Sequence, residues 1–173
     1  DLDGSNRKPI TQYGVYTAEA TLSPDGRRLV FTSLKDGDLE LYTMNVDGSD
    51  IRRLTNAPGY DGGAFFSPDG AQIVYRAWHP TGDSLTVYRE LLSQHLVRPN
   101  RMEIFVMNAS NGGSQLRLTM IMGFDRAPLY LDAGRIVFES ATFGGGGLAI
   151  VAPTTPGAVS RIPNTVRNDA SPG

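Results

Sequence analysis

The chain has 173 residues, enough to bury a sizeable core, and its 20 Gly and 11 Pro give the turn-heavy usage that many short strands require. A formal charge of −2 offers no electrostatic case for nucleic acid. No apolar run approaches the roughly 18 residues of a membrane span, and zero cysteines exclude disulfides and thiolate metal sites without locating the compartment.

The chain starts at Asp1 without Met or a signal-like segment, so a mature or excised product is expected. Asp1-Leu2-Asp3-Gly4-Ser5 aligns with Asn45-Val46-Asp47-Gly48-Ser49, and Ile10-Thr11 precedes Leu54-Thr55 by 44 residues. Residues 1–11 therefore read as the end of a repeating unit whose next copy is 12–55.

Within 12–55, β-branched and aromatic runs bounded by Gly, Asp and Pro predict strands at 18–22, 28–33, 39–45 and 51–55. Ser23-Pro24-Asp25-Gly26 is a turn with a mechanism, because Pro presets φ and Gly accepts positive φ. Asp47-Gly48 marks a hairpin between the third and fourth strands. Both Asp-Gly-Ser segments also invite a calcium reading, but their Gly sits at position 4, not the sixth position of the EF-hand loop, so turns explain them better.

The unit 56–119 repeats this plan. Ser67-Pro68-Asp69-Gly70 lies 44 residues after its first copy, and Glu103-Ile104-Phe105-Val106-Met107-Asn108 answers Glu40-Leu41-Tyr42-Thr43-Met44-Asn45. Arg117-Leu118-Thr119 answers Arg53-Leu54-Thr55 at a distance of 64, so the second unit carries about 20 extra residues. That insertion is placed at about 76–101, and Leu85, Tyr88, Leu91, Leu92 and Leu96 predict an amphipathic helix over 83–97. Asp83 or Ser84 is the expected cap and Arg98-Pro99 the stop.

Residues 120–165 read as a degenerate third unit, with Leu131-Asp132-Ala133-Gly134 where the turn motif is due and Gly147–Val151 as the third strand. Gly144-Gly145-Gly146-Gly147 lacks the Lys-Ser/Thr of a phosphate loop and reads as a strand connection. Residues 166–173 read as the start of a next unit. Four short antiparallel strands per forty-odd residues describe a β-propeller blade. The expected class is all-β, with about three four-stranded antiparallel blades and one helical insertion. Three blades leave two open edges, so the chain is expected to be part of a larger propeller or to be completed by self-association of copies.

Taken together, Ser-Pro-Asp-Gly, the following strand, Leu41-Tyr42-Thr43-Met44-Asn45-Val46-Asp47-Gly48-Ser49 and Arg52-Arg53-Leu54-Thr55 resemble the TolB-type, WD-like propeller repeat. The resemblance implies a periplasmic or extracellular bacterial protein that binds a protein or cell-envelope component without catalysis. The same repeat also precedes prolyl-oligopeptidase-type hydrolase domains and builds lyases acting on pectic oligosaccharides. The alternative is therefore a substrate-gating propeller fragment of such a peptidase or of a polysaccharide-active enzyme.

Site residues concentrate in the insertion, which holds Trp78, His79, Tyr88, Arg89, His95, Arg98 and Arg101. One reading makes these a recognition surface in which aromatic and Arg side chains anchor a partner. The other has Trp78 and Tyr88 pack the helix while the arginines are solvated. No tight ligand motif joins His79 and His95, so no metal and no cofactor is expected. No nucleophile elbow or other catalytic set is present. Asp61, Asp125 and Asp169 share one repeat position and could point to a central channel to bind cations or sugars, but Thr17 as their counterpart in the first unit favours the reading that they bond local backbone amides.

Overall fold

The structure, a computed structural model, describes residues 3, 5–120, 123–143 and 146–163. The expected start of a next unit at 166–173, Asp169 with it, lies outside the described residues, as do Asp1, Leu2, Gly4, Gly144 and Gly145.

Three four-stranded antiparallel sheets follow one another along the chain. The first comprises β1 (Thr17–Leu22), β2 (Arg28–Ser33), β3 (Glu40–Asn45) and β4 (Arg52–Arg53). The second comprises β5 (Tyr60–Phe66), β6 (Gln72–Trp78), β7 (Glu103–Asn108) and β8 (Leu116–Arg117), with α1 (Asp83–Ser93) between β6 and β7. The third comprises β9 (Asp125–Asp132), β10 (Arg135–Ser140), β11 (Gly147–Val151) and β12 (Ser160–Arg161). In each sheet the strands pair in chain order, so the three are propeller blades in an open array. Residues 5–11, read above as the end of a preceding unit, form no strand.

The repeated motifs are repeated hydrogen-bond sets. Ser23 Oγ donates to Asp25 Oδ1 at 2.6 Å and accepts from Arg28 N at 2.9 Å, while Gly26 N donates to the Ser23 carbonyl at 2.9 Å. Ser67, Asp69, Gln72 and Gly70 reproduce the set at 2.6, 2.9 and 2.8 Å. Gly26 and Gly70 sit at φ 71° and 74°, where a side chain is strained, which is why the motif ends in Gly. In the third blade, Asp132 pairs directly with Arg135 across a tight hairpin, and Gly134 N donates to Asp132 Oδ1 at 2.9 Å.

A second set explains the Glu…Arg-Leu-Thr recurrence. Arg53 Nη2 donates to Glu40 Oε1 at 2.6 Å, Arg53 Nε to the Thr55 carbonyl at 2.7 Å, and Leu41 N to Thr55 Oγ1 at 2.9 Å. One blade on, Arg117 pairs with Glu103 at 2.7 Å, Arg117 Nε reaches the Thr119 carbonyl at 2.8 Å, and Ile104 N reaches Thr119 Oγ1 at 2.9 Å.

Apolar faces hold the blades together. Val30, Leu41 and Leu54 pack against Ile73, Tyr75 and Met107. Val74, Ile104, Val106 and Leu118 pack in turn against Ile136, Phe138 and Val151. A fully buried aliphatic or aromatic side chain of this kind contributes about 1.5–3 kcal/mol.

The insertion differs from its sequence reading in three ways. Strand β6 runs through Trp78, so Arg76 and Trp78 belong to the blade, and the extra residues begin at His79. The helix stops at Ser93, four residues early, and Leu96 is 43% exposed, not packed. Neither Asp83 nor Ser84 caps it: Gly82 is the N-cap, and no side chain bonds the first turn. The stop has a clear cause. His95 N donates to the Leu92 carbonyl and Leu96 N to the Leu91 carbonyl, each at 2.9 Å, with His95 at φ 60°. This is a Schellman closure with His in the left-handed position that Gly usually takes.

Candidate binding site

Helix α1 lies across the top of the second blade on a cluster of Leu39, Tyr60, Trp78, Tyr88 and Met102, with Leu85, Leu92, Val97 and Phe124 at its margin. Trp78 and Tyr88 meet edge to face, with ring centroids 5.6 Å apart, a favoured aromatic geometry. The Tyr88 hydroxyl lies between the Asp38 carboxylate and the Gly59 carbonyl, and Asp38 also accepts from Gly59 N at 3.1 Å. The helix is thereby fastened to the loop between the first two blades. Arg89, Glu90, Ser93 and Gln94 face solvent.

A cleft opens at each end of this helix. At its C-terminal end, Leu92, His95 and Val97 face Gly14–Tyr16, Leu34, Leu39 and Tyr60 across an apolar groove of about 550 Å³. Val15 and Tyr16 on its wall are 46% and 50% exposed. At the N-terminal end, Thr81 and Ser84 face Asn100, Arg101 and Phe124 across a second cleft of about 590 Å³, with Trp78 and Pro80 also lining it.

Beside the apolar groove runs a charged clamp. Glu19 accepts from Gly63 N at 2.8 Å, Thr32 Oγ1 at 3.2 Å, the Tyr60 hydroxyl at 3.1 Å and Arg76 Nη2 at 2.5 Å. Arg76 also bonds the Tyr60 hydroxyl at 2.9 Å and lies 5.6 Å from that ring's centroid. Glu19, Gly63 and Ala127 hold the same place in the first strand of each sheet, at φ 56°, 58° and 49°. Each sits at a β-bulge, a device that re-aims side chains.

His79 takes a different path. Its Nε2 is 2.9 Å from Asp61 Oδ1, and its ring leans on Phe105 at 5.5 Å. Burial alone lowers the His79 pKa, but the bond to Asp61 and that carboxylate's charge outweigh it, for a net rise. Burial raises Asp61, against the pull of His79 and Thr55. Glu40 is pushed up to about 7 by burial and, more weakly, by the charge of Asp61, against the pull of Thr55 and Arg53. The corresponding pair is Thr17 with Ser33 in the first blade, 2.9 Å apart, and Asp125 with Ser140 in the third. In the second blade Ala77 stands opposite Asp61 and has nothing to donate, so His79 two residues on supplies the bond. These aspartates bond neighbouring side chains, where the sequence reading gave them backbone amides.

The seven sequence-nominated residues thus separate. His95 lines the apolar groove, Arg101 lines the polar cleft and Trp78 floors it. Tyr88 is buried in the helix seat, His79 is bound to Asp61, and Arg89 and Arg98 are exposed and line neither cleft. Sequence reasoning missed Tyr16, Glu19, Ser84 and Asn100. Only Glu19 left a signal, as an acid where the next repeat has Gly63. Among the described residues no group of three His, Asp or Glu side chains could hold a metal ion, and no helix is long and apolar enough to cross a membrane.

The family model described as TolB beta propeller domain matches residues 1–90. Among solved structures, the chain is similar to TolB from Acinetobacter baumannii, at 27% identity and a TM-score of 0.65 over 93% of this chain and 36% of that one. It is also similar in fold to a puromycin-hydrolyzing peptidase from Mycobacterium tuberculosis, at 17% identity and a TM-score of 0.66 over 89% of this chain and 23% of that one. The chain therefore spans well under half the length of either structure. No curated protein matches it.

Proposed function

The chain belongs to the TolB beta propeller domain family, and from that membership we propose that it is a non-catalytic binding module that captures a protein partner in the bacterial periplasm or at the cell envelope. One observation carries the reading: the open apolar groove at the C-terminal end of α1, walled by the exposed Val15 and Tyr16. Large apolar side chains gathered around a concave surface fit an extended segment that buries an apolar anchor. The repeat pattern supports the absence of catalysis. Glu40 and Glu103 recur as partners of Arg53 and Arg117, and Asp61 and Asp125 as bonded pairs, so each of these buried acids has an architectural task.

The test uses the purified chain and a displayed library of random linear peptides. Selected peptides are expected to share an aliphatic or aromatic anchor and to bind saturably in calorimetry. Tyr16→Ser or His95→Asn should weaken them by about tenfold, the worth of roughly 1.4 kcal/mol of contact, with melting unchanged. Binding that survives both substitutions, or a library that yields no anchor, removes the proposal. A hydrolase domain encoded in the same reading frame would instead favour the enzyme-associated propeller.

A further inference from the structure

We propose that Glu40 and Asp61 share one proton across the seam between the first two blades, and that this proton governs peptide capture in the adjoining apolar groove. The control of capture rests on the groove being the peptide site; the shared proton does not.

The backbone sets the two acids side by side. Leu39 and Tyr60 form a parallel bridge between the blades, and Asp61 N donates to the Leu39 carbonyl at 2.9 Å. Glu40 and Asp61 are the next residues along each strand, and they are 1% and 0% exposed. One oxygen of each is taken, Glu40 Oε1 by Arg53 at 2.6 Å and Asp61 Oδ1 by His79 at 2.9 Å. The other two, Glu40 Oε2 and Asp61 Oδ2, are buried without a hydrogen-bond partner among the described residues.

The remaining groups around the pair do not supply what is missing. Thr55, beyond β4, acts on both carboxyls but has one hydroxyl proton to give. Tyr75 of β6 is fully buried and is raised by burial and then by the charges of Asp61 and Glu40, and its hydroxyl also has no partner among the described residues. Glu103 of β7 acts on the site through His79. Two adjacent buried carboxylates repel when both are ionised, and one proton between them removes the repulsion. Burial raises Asp61, but His79 and Glu40 both favour its charged form, so the proton belongs on Glu40 Oε2 and is donated to Asp61 Oδ2.

Leu39 and Tyr60, one residue before each acid, line the apolar groove and belong with Trp78 to the cluster under α1. When the proton leaves to water, two like charges face each other in a buried seam. The strands that carry Leu39 and Tyr60 must then part or admit water, and the groove loses its shape. An apolar anchor therefore selects the protonated form, and by linkage its binding takes up a proton.

Glu40 is pushed up to about 7, so measurements at about pH 6 and about pH 8 bracket the loss of the proton. Trp78, the only tryptophan, should change its emission between these values in the free protein. Infrared difference spectra should show a protonated carboxyl group lost over the same interval. In Glu40→Gln the amide keeps a donor for Asp61 Oδ2, so both signals should vanish while circular-dichroism melts show a folded chain. A peptide selected on the groove should bind the wild type about tenfold more tightly at the lower pH, and Glu40→Gln equally at both. Calorimetry in buffers of different ionisation enthalpy should detect the proton taken up at the higher pH. A carboxyl signal that is missing, or that persists in Glu40→Gln, overturns the shared proton. Peptide affinity that ignores pH, or a pH dependence that survives Glu40→Gln and so belongs to His95 on the groove wall, overturns its control of capture and leaves the groove reading standing. If no peptide binds at either pH, the groove reading falls and the control of capture with it, while the spectra still decide the proton.

Discussion

Glu40, Asp61 and His79 place three titratable groups at the base of the insertion, and each is shifted upward relative to its ordinary value. A group whose pKa is higher folded than unfolded binds more protons in the native state, so stability falls as pH rises through the interval between the two values. For Glu40 that interval runs from 4.5 to about 7. Asp61 and His79 act with the same sign. The melting temperature should therefore decline as pH rises from 4.5 to about 7, and Glu40→Gln should flatten the decline by removing the group that must ionise in a buried site. Melts recorded across this window decide the matter: a flat wild-type profile, or an undiminished slope in the variant, contradicts the assignment. None of this chemistry was legible in the sequence. Asp61 was visible as a repeat position, but its tie to His79 depends on Ala77 occupying the site where the neighbouring blades carry Ser33 and Ser140.

The insertion helix shows how far periodicity reaches. Leu85, Tyr88 and Leu92 recur at helical spacing and do form the packed face, because apolar spacing encodes which side is buried. The end of the helix was not readable, since the terminating left-handed residue is His95 and the usual glycine signal is missing. The start was obscured for a similar reason: the capping position went to Gly82 although Asp83 and Ser84 follow it. The clefts depended on segments distant in sequence lining one cavity, Tyr16 with Val97 and Ser84 with Phe124, which no local pattern specifies. The buried face carries its own test. Leu92→Asp places a charge against Tyr60 and Tyr88 and should destabilise the chain by about 2–4 kcal/mol, whereas Gln94→Asp on the exposed side should stay within about 0.5 kcal/mol. Equal shifts in urea midpoint for the two variants rule out this packing.

At the scale of the molecule, the repeat supplies each blade with an apolar interface, but among the described residues the charged clamp occurs once. Glu19 of the first blade reaches Tyr60, Gly63 and Arg76 of the second. The second blade has Gly63 in the place of Glu19, and in the third Glu139 stands where Arg76 would be, paired with Arg126 of its own blade at 2.8 Å. Between the second and third blades the Tyr130 hydroxyl, 3.2 Å from Gln72 Oε1, and the bond of Asp125 to Thr119 join side chains without a charged pair of that kind. Glu19 holds its place despite a backbone conformation that costs a non-glycine residue about 1–3 kcal/mol, so its several donors must offset that strain. Glu19→Gln keeps the shape and removes the charge, and it should cost about 1–3 kcal/mol through weakened bonds to Arg76 and Gly63 N. Glu139→Gln removes a carboxylate of the same kind from an exposed pair within one blade and should leave the urea midpoint in place. Native-state hydrogen exchange gives the finer readout. In Glu19→Gln, protection should fall first at the amides of β1 and β5, where the clamp sits, while β10 and β11 keep theirs. A uniform loss over all three blades would mean that the clamp serves the fold as a whole and not the junction between the first two blades.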